Sequence, residues 1–168
     1  MHMSRPLPAY ASHTSLGELN TAELFVVQSF RLWVLPHCEP GRDHPDWRAG
    51  FDSAGIDEEG ARAFDTLLRV VAVAASREVE VRCPQCRTLA SDEGALLHIV
   101  ALMQRARIGE AASLLSDWLP ATAVRMAIPA AHLFAQALEA RGLSMPYRTG
   151  LVDTAAMMPA TCCSDMVH

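Results

Sequence analysis

The sequence predicts a mainly α-helical protein: a single-domain helical bundle of about five helices with one small extended knuckle around a Cys-x-x-Cys motif. Its apolar residues are chiefly Ala, Leu, Val and Met, and aromatic residues make up only 6%. This balance favours helices over sheets. Apolar residues also recur at helical spacing in segments separated by proline and glycine. A chain of 168 residues fits one domain.

The first helix is expected to begin after Asn20, whose side chain can cap the free amides while Glu23 reaches back. It should end at Pro36. Apolar residues cover most of its circumference, so we expect it to be the central, most buried helix. A loop rich in proline follows over residues 36–56, with a helical turn at 46–50.

The second helix is expected to begin at Asp57, a good capping residue, and to end near residues 76–77. Residues 79–89 then alternate apolar and charged side chains before the cysteine motif, which predicts an extended segment. A third helix should start at Ser91 and end around Gly109.

The last part of the bundle is predicted in three pieces. A short fourth helix covers residues 110–118, and a further short segment covers 122–128 before Pro129. The final helix spans 130–140, with Gly142 at its C-terminal end.

The chain is expected to divide into three regions. Residues 1–13 read as a flexible N-terminal arm, because they contain two prolines and no periodic pattern. Residues 14–148 form the helical domain. Residues 149–168 have no clear apolar period, which predicts a mobile C-terminal tail.

The most informative motif is Cys-Pro-Gln-Cys, with thiols at Cys83 and Cys86. Two thiols at this spacing can bind one metal ion, and a structural zinc ion takes four ligands drawn from cysteine and histidine. Cys38 is the expected third ligand, because its loop is rich in turn residues. His37 is the first choice for the fourth ligand, and His44 comes next. The sequence therefore predicts a zinc site that joins two parts of the chain.

Other interpretations of the sulfur and imidazole groups remain open. His98 is a less favoured zinc ligand and is expected on the surface. The motif could instead hold inert thiols or a redox-active dithiol, although the sheet of a thioredoxin-like protein is missing from the pattern. Cys162 and Cys163 lie among methionines that could in principle hold Cu(I). We expect this tail to have no such role.

Several functional classes lack support. Phosphate-binding glycine loops and the HExxH and GxSxG motifs are absent, so the sequence leans away from an enzyme. Asp92 and Glu93 are explained as carboxylates in the first turn of a helix. The net charge is −5, lysine is absent and the arginines are dispersed, which argues against a nucleic-acid partner.

Membrane insertion and secretion are not expected either. The longest apolar run, residues 70–75, is too short to cross a bilayer, and the N-terminus lacks the apolar core of a signal peptide. Five cysteines, unevenly placed, do not resemble a disulfide framework. We therefore expect a cytoplasmic protein, in which a Cys-x-x-Cys motif binds metal or is redox-active.

Together these observations predict a small, zinc-stabilised helical protein that acts by protein–protein contacts, as an adaptor or regulatory subunit. The alternative is a metal- or redox-dependent sensor or enzyme that uses the Cys83 and Cys86 pair. Four apolar residues close to helix-breaking prolines could form a contact patch, although ordinary core packing is preferred for them: Trp118, Leu119, Met126 and Met145.

Overall fold

The computed structural model describes residues 9–11 and 13–148. Within these residues the chain forms six α-helices and one turn of 3-10 helix, Leu16–Glu18, and it contains no strand. The helices are α1 Thr21–Cys38, α2 Arg48–Ser53, α3 Glu58–Ala74, α4 Ser91–Gln104, α5 Ile108–Leu115 and α6 Ala121–Glu139. The mainly helical fold class is confirmed.

The extended knuckle is not confirmed. Between α3 and α4 the described backbone has no strand, and its one bridge joins Ser15 to Thr88. This segment is named here the 75–90 segment. Hydrogen bonds from side chains and a few isolated backbone hydrogen bonds hold it against the helices.

The predicted capping box at the start of α1 is present. The Glu23 N–H donates to Asn20 Oδ1 at 2.9 Å, and the Asn20 N–H donates to Glu23 Oε2 at 2.7 Å. The predicted stop at Pro36 is wrong, because α1 continues to Cys38. Pro36 lies in the last turn, where its missing N–H removes only one bond, and the Glu39 N–H still closes the helix. Cys38 therefore lies at a helix end rather than in a loop.

The central helix is α4 rather than α1. Ten of the fourteen residues of α4 are buried, compared with eight of the eighteen in α1. Helix α4 packs against α1, α5 and α6, so its apolar surface is covered from several directions. Residues 94–103 of α4, rather than α1, therefore fit the expectation that a helix with apolar residues on all sides is buried.

Helix α4 ends at Gln104, earlier than the predicted Gly109. Ala106 adopts a positive φ of 55°, the left-handed conformation that usually follows a helix end. The Arg107 N–H then donates to the Leu102 carbonyl at 2.9 Å, as in a Schellman motif. No glycine stands at this break to signal it, so the predicted third helix is too long.

Helix α6 is a single helix, whereas two segments separated at Pro129 were predicted. A proline within a helix costs roughly 3 kcal/mol. Buried side chains on both sides of Pro129 offset this cost by packing against neighbouring helices: Ala123, Val124, Ala127, Ala130, Ala131, Phe134, Ala135 and Leu138. Gly142, with a φ of 72°, ends the helix as predicted.

An aromatic cluster fixes α2 against α3 and α6. The ring of Phe64 on α3 lies 4.9 Å from Phe134 on α6, 5.2 Å from Phe51 on α2 and 5.4 Å from Trp47, between ring centroids. These spacings are typical of favourable aromatic contacts. The proline-rich region before α3 is therefore anchored to the core.

Both ends of the described chain meet at Glu23. The Tyr10 hydroxyl donates to Glu23 Oε1 at 2.7 Å, and the Arg148 guanidinium donates to both carboxylate oxygens at 2.7 and 2.9 Å. The predicted flexible arm, residues 1–13, lies outside the described residues except for 9–11 and 13. The predicted tail, 149–168, lies wholly outside them. None of the described helices combines the length and apolarity needed to cross a membrane.

Close packing between α3 and α6 requires a glycine at position 60. A Cβ on Gly60 would lie 2.6 Å from the Ala137 Cβ and 2.7 Å from Ile56 Cγ2. Alanine normally stabilises a helix relative to glycine by about 1 kcal/mol, but here we expect Gly60→Ala to lower the free energy of unfolding by about 1–3 kcal/mol. Urea denaturation measures this difference.

The matched control is Gly109→Ala in α5, where no atom lies within 4 Å of the added Cβ. This variant should raise the free energy of unfolding by up to about 1 kcal/mol. Equal stabilisation by the two substitutions would contradict the close approach of α3 and α6 at Gly60.

Candidate functional site

The 75–90 segment, which carries the Cys-Pro-Gln-Cys motif, is held by two acidic side chains at the start of α4. The first is Asp92. It accepts bonds from the Glu80 N–H at 2.7 Å, from the Arg77 guanidinium at 2.8 and 2.9 Å, and from Trp118 Nε1–H at 3.0 Å. Burial alone would raise the pKa of Asp92, but these bonds together hold it below its usual value. Asp92 is therefore a charged anchor for the segment.

The second acidic anchor is Glu93. One of its oxygens accepts from the Ala90 N–H at 2.8 Å, which forms the capping interaction predicted for the helix start. The other accepts from the Arg82 N–H at 3.0 Å, immediately before the cysteine motif. Glu93 thus caps α4 and also fixes the incoming chain.

A buried arginine completes this arrangement. The side chain of Arg31 on α1 has no exposed surface, and it donates to Glu93 from Nε at 2.7 Å and from Nη2 at 2.8 Å. Its Nη1 donates to the Cys86 carbonyl at 2.6 Å and to the Cys83 carbonyl at 3.2 Å. Its Nη2 also reaches the Thr88 carbonyl at 2.8 Å. One guanidinium therefore joins α1, α4 and the cysteine motif.

The motif itself forms a tight turn. The Cys86 N–H donates to the Cys83 carbonyl at 3.0 Å. Cys83 is exposed and Cys86 is half-buried, and both are present as thiols. The structure therefore brings the two predicted thiols near each other at the surface, on a backbone whose carbonyls are fixed from below by Arg31.

The other predicted zinc ligands lie at the end of α1 and beyond it. Cys38 is exposed. The ring of His37 stacks on Trp33 at 4.7 Å, and His37 Nδ1 donates to the Trp33 carbonyl at 3.2 Å. His44 Nε2 donates to the Glu39 carbonyl at 2.8 Å. Because a carbonyl only accepts, these bonds fix which ring nitrogen carries the proton in each neutral histidine.

Within residues 9–11 and 13–148, no group of three or more His, Cys, Asp or Glu side chains is placed to hold a metal ion. Cys83 and Cys86 lie near each other as thiols, and Cys38 and His37 do not form a metal-binding group with them in the described part of the chain. The four-ligand zinc site therefore stays a prediction.

His37 and His44 line a different feature, a surface cavity of about 280 Å³. On its wall, Asp65 accepts bonds from Trp33 Nε1–H at 2.8 Å and from Arg69 at 2.7 Å. These bonds outweigh burial and lower the pKa of Asp65. The two histidines considered for the fourth ligand position therefore both line this cavity, whose lining does not include Cys83 or Cys86.

His98 was expected on the surface, and this expectation is wrong. The residue is half-buried on α4, and its ring lies 6.0 Å from that of Tyr147. Its Nε2 is buried and has no hydrogen-bond partner in the described part of the chain. Burial is the main cause that lowers the pKa of His98; the charge of Glu110 raises this pKa and the charge of Arg107 lowers it, both by smaller amounts.

This environment predicts a pH-dependent stability. A histidine whose pKa is lower in the folded state favours folding while it is neutral, so its contribution is complete above its ordinary pKa of 6.5 and declines as the pH falls below that value. We expect the free energy of unfolding to decrease between about pH 6.5 and pH 5, and His98→Leu to reduce this slope. Urea denaturation across this range measures both.

Buried carboxylates do not account for a slope in this range. Glu23 and Asp92 also have lowered pKa values, from ordinary values of 4.5 and 3.8, so their contributions are lost only at lower pH. A slope that is identical in wild type and His98→Leu would show that His98 is not responsible.

A groove of about 470 Å³ lies between α3 and α6. It is lined by Glu59, Arg62, Ala63, Thr66, Met126, Pro129, Ala130 and Leu133. Met126 is 63% exposed and Leu133 is 42% exposed. Of the four residues predicted as a contact patch or core, Met126 is exposed, whereas Trp118, Leu119 and Met145 are buried core residues.

Sequence reasoning missed Arg31 and the groove. A signal for Arg31 was present: it is the only acidic or basic residue, histidine aside, between Glu23 and the end of α1. A lone charge in an apolar helix indicates a buried partner, because an unpaired buried charge is strongly unfavourable. The groove had no such signal, since it arises only when α3 packs against α6.

Comparison with known proteins found no matching family model, no similar curated protein and no similar solved structure. Function is therefore inferred from the contacts, burial and charges of the chain itself.

Proposed function

We propose that this chain acts through contacts with another protein, as a small adaptor or regulatory subunit, and that a helix of the partner docks between α3 and α6. The proposed surface, named here the α3–α6 face, comprises Glu59, Arg62, Thr66, Val73, Met126, Pro129 and Leu133. One observation carries the proposal. Of the five large hydrophobic side chains exposed in the described residues, two line the groove, Met126 and Leu133, and a third, Val73, lies on α3 seven residues after Thr66.

Helical spacing aligns these side chains in two rows. Thr66 and Val73 are seven residues apart on α3, which is close to two turns, so they lie on the same side of the helix. Met126, Pro129 and Leu133 follow the i, i+3, i+7 spacing on α6. Because α3 packs along α6, Thr66 and the row on α6 line the groove, and Val73 follows on the same side of α3.

Exposed apolar side chains favour burial by a partner. Burial contributes roughly 25 cal/mol for each Å² of apolar surface removed from water. Contiguous apolar patches on soluble proteins commonly mark contact sites, and methionine adapts its shape to a partner. A groove between two helices also suits an amphipathic helix, whose apolar residues recur at i, i+3 or i+4, and i+7.

Charge at one end of the face constrains the partner further. Arg62 lies 3.4 Å from Glu58 in an exposed pair, whereas Glu59 takes part in no ion pair among the described residues. The fitting partner is therefore an amphipathic helix with an apolar row and a basic residue next to Glu59. The proposal does not require the predicted zinc ion, since α3 and α6 alone build the face.

Site-specific photocrosslinking tests this proposal. A benzoylphenylalanine at position 126 is compared with one at Ile108, an exposed residue on α5. We expect position 126, and not 108, to crosslink one partner through an amphipathic helical segment identified by mass spectrometry. A purified peptide of that segment should bind the wild-type chain, and Leu133→Glu should weaken its binding by roughly 10-fold or more.

Ile108→Glu is the matched control, because Ile108 is 41% exposed and Leu133 is 42% exposed. Its binding of the peptide should equal that of the wild type. Equal losses in the two variants would contradict the proposal. A crosslink from position 126 to a second copy of this chain, with a dimer in light scattering that Leu133→Glu abolishes, would also overturn it.

A further inference from the structure

We infer that the Cys83–Cys86 turn is a two-thiolate binding site for a soft monovalent metal ion, with Cu(I) as the biological ion of this class. The inference goes beyond the adaptor proposal and rests on a different part of the molecule. It depends on the fixed turn, the number of ligands and the local charge.

The turn is organised without a metal. The carbonyls of Cys83 and Cys86 both accept bonds from Arg31 Nη1, and the Cys86 N–H closes the turn at 3.0 Å. Glu93 holds Arg31 in place with two bonds of 2.7 and 2.8 Å. Since the backbone is already ordered, a metal ion that bridges the two sulfurs has little chain entropy to overcome.

The number of available ligands selects the type of ion. Structural zinc takes four ligands in a tetrahedron. The described residues bring two thiols together and place no third His, Cys, Asp or Glu with them as a metal-binding group. Cu(I) is a soft ion that thiolates select, and two thiolates satisfy it in a linear arrangement. The ligand set present in the turn therefore fits Cu(I) better than zinc.

Access and charge agree with this assignment. Cys83 is exposed, so an ion can reach the turn from solvent. Binding replaces two S–H bonds by two Cu–S bonds and releases two protons to the buffer, with no electron transferred. The resulting complex carries one negative charge, and the flanking residues Arg82 and Arg87 are both cationic, although Arg82 also pairs with Glu80 at 3.5 Å. Arg82 Nε is also a buried donor with no acceptor in the described part of the chain.

Competition titration tests the inference on the full chain. The parent variant is Cys162→Ser with Cys163→Ser, so that the tail thiols cannot contribute. Cu(I) is titrated without oxygen against the chromophoric chelator bathocuproine disulfonate. We expect one ion per chain, and we expect Cys83→Ser and Cys86→Ser each to weaken binding by more than about 100-fold. Cys38→Ser should bind like the parent.

The opposing outcomes are distinct. Unchanged binding in Cys83→Ser, or an equal loss in Cys38→Ser, would overturn the two-thiolate site. So would stoichiometric Zn²⁺ that Cu(I) does not displace, a result that would support the predicted zinc site instead. X-ray absorption of the loaded parent should show two sulfur neighbours, and four sulfur neighbours would overturn the two-thiolate site. Circular dichroism checks that each variant is folded, and none of these outcomes bears on the α3–α6 face.

Discussion

Replacing Arg31 with methionine is expected to lower the free energy of unfolding by about 3–5 kcal/mol. The substitution keeps an unbranched apolar stem but removes the cation, so the Glu93 carboxylate is left buried and unpaired. The carbonyls of Cys83, Cys86 and Thr88 lose the bonds from Arg31 in the same step, and the Cys83 carbonyl keeps only the bond from the Cys86 N–H. Urea denaturation at neutral pH, followed by circular dichroism, measures the change.

An exposed arginine provides the control for Arg31. Arg62 pairs with Glu58 at 3.4 Å, and both side chains are mostly in solvent. Arg62→Met should therefore change the free energy of unfolding by no more than about 0.5 kcal/mol. If Arg31→Met also changed the free energy of unfolding by no more than about 0.5 kcal/mol, the buried pair of Arg31 and Glu93 would not support the fold.

Replacing Asp92 with alanine is expected to lower the free energy of unfolding by about 2–3 kcal/mol. Trp118 is fully buried, and its indole N–H would lose its acceptor. The Glu80 N–H would lose its acceptor too, and Arg77 would lose both of its bonds to the carboxylate. The contribution of Arg77 is the smaller one because its side chain is 44% exposed.

Two further variants, an exposed control and a conservative substitution, are compared with Asp92→Ala. Asp52→Ala alters an exposed carboxylate at the end of α2 and should change the free energy of unfolding by less than about 0.5 kcal/mol. Asp92→Asn keeps one acceptor oxygen, so its loss should fall between those of Asp52→Ala and Asp92→Ala. If Asp92→Asn proved as costly as Asp92→Ala, charge rather than hydrogen bonding would dominate.

Local signals in the sequence predicted the helix starts well. Asn20 and Asp57 cap α1 and α3 with side-chain bonds, as expected from their positions before apolar periodic runs. Helix ends were harder to predict. The prolines at 36 and 129 lie inside helices, because tertiary packing outweighs the local cost of a proline. A break without glycine, at Ala106, had no local signal.

The candidate site could be predicted only in part. The spacing of Cys83 and Cys86 correctly indicated a tight turn with two neighbouring thiols. The interactions that hold the turn join residues far apart in sequence: Arg31 and Glu93 are separated by 62 positions. Such a pairing depends on how α1 and α4 pack, and no local pattern in one sequence encodes it.

These contacts change the interpretation of the cysteine turn. From sequence, a zinc ion was expected to join the turn to the rest of the fold. In the structure, Arg31 and Glu93 already make that connection through hydrogen bonds to the backbone of the motif. The fold of the turn is therefore supported by hydrogen bonds to its backbone, without a metal ion.

Hydrogen exchange of the Cys86 backbone amide in metal-free protein tests this central claim most directly. The amide donates to the Cys83 carbonyl, which Arg31 also binds. We expect the amide to be protected in the wild type without any metal, and to lose that protection in Arg31→Met. An amide that exchanges freely in the metal-free wild type, and gains protection only when a metal ion is added, would contradict the role of Arg31.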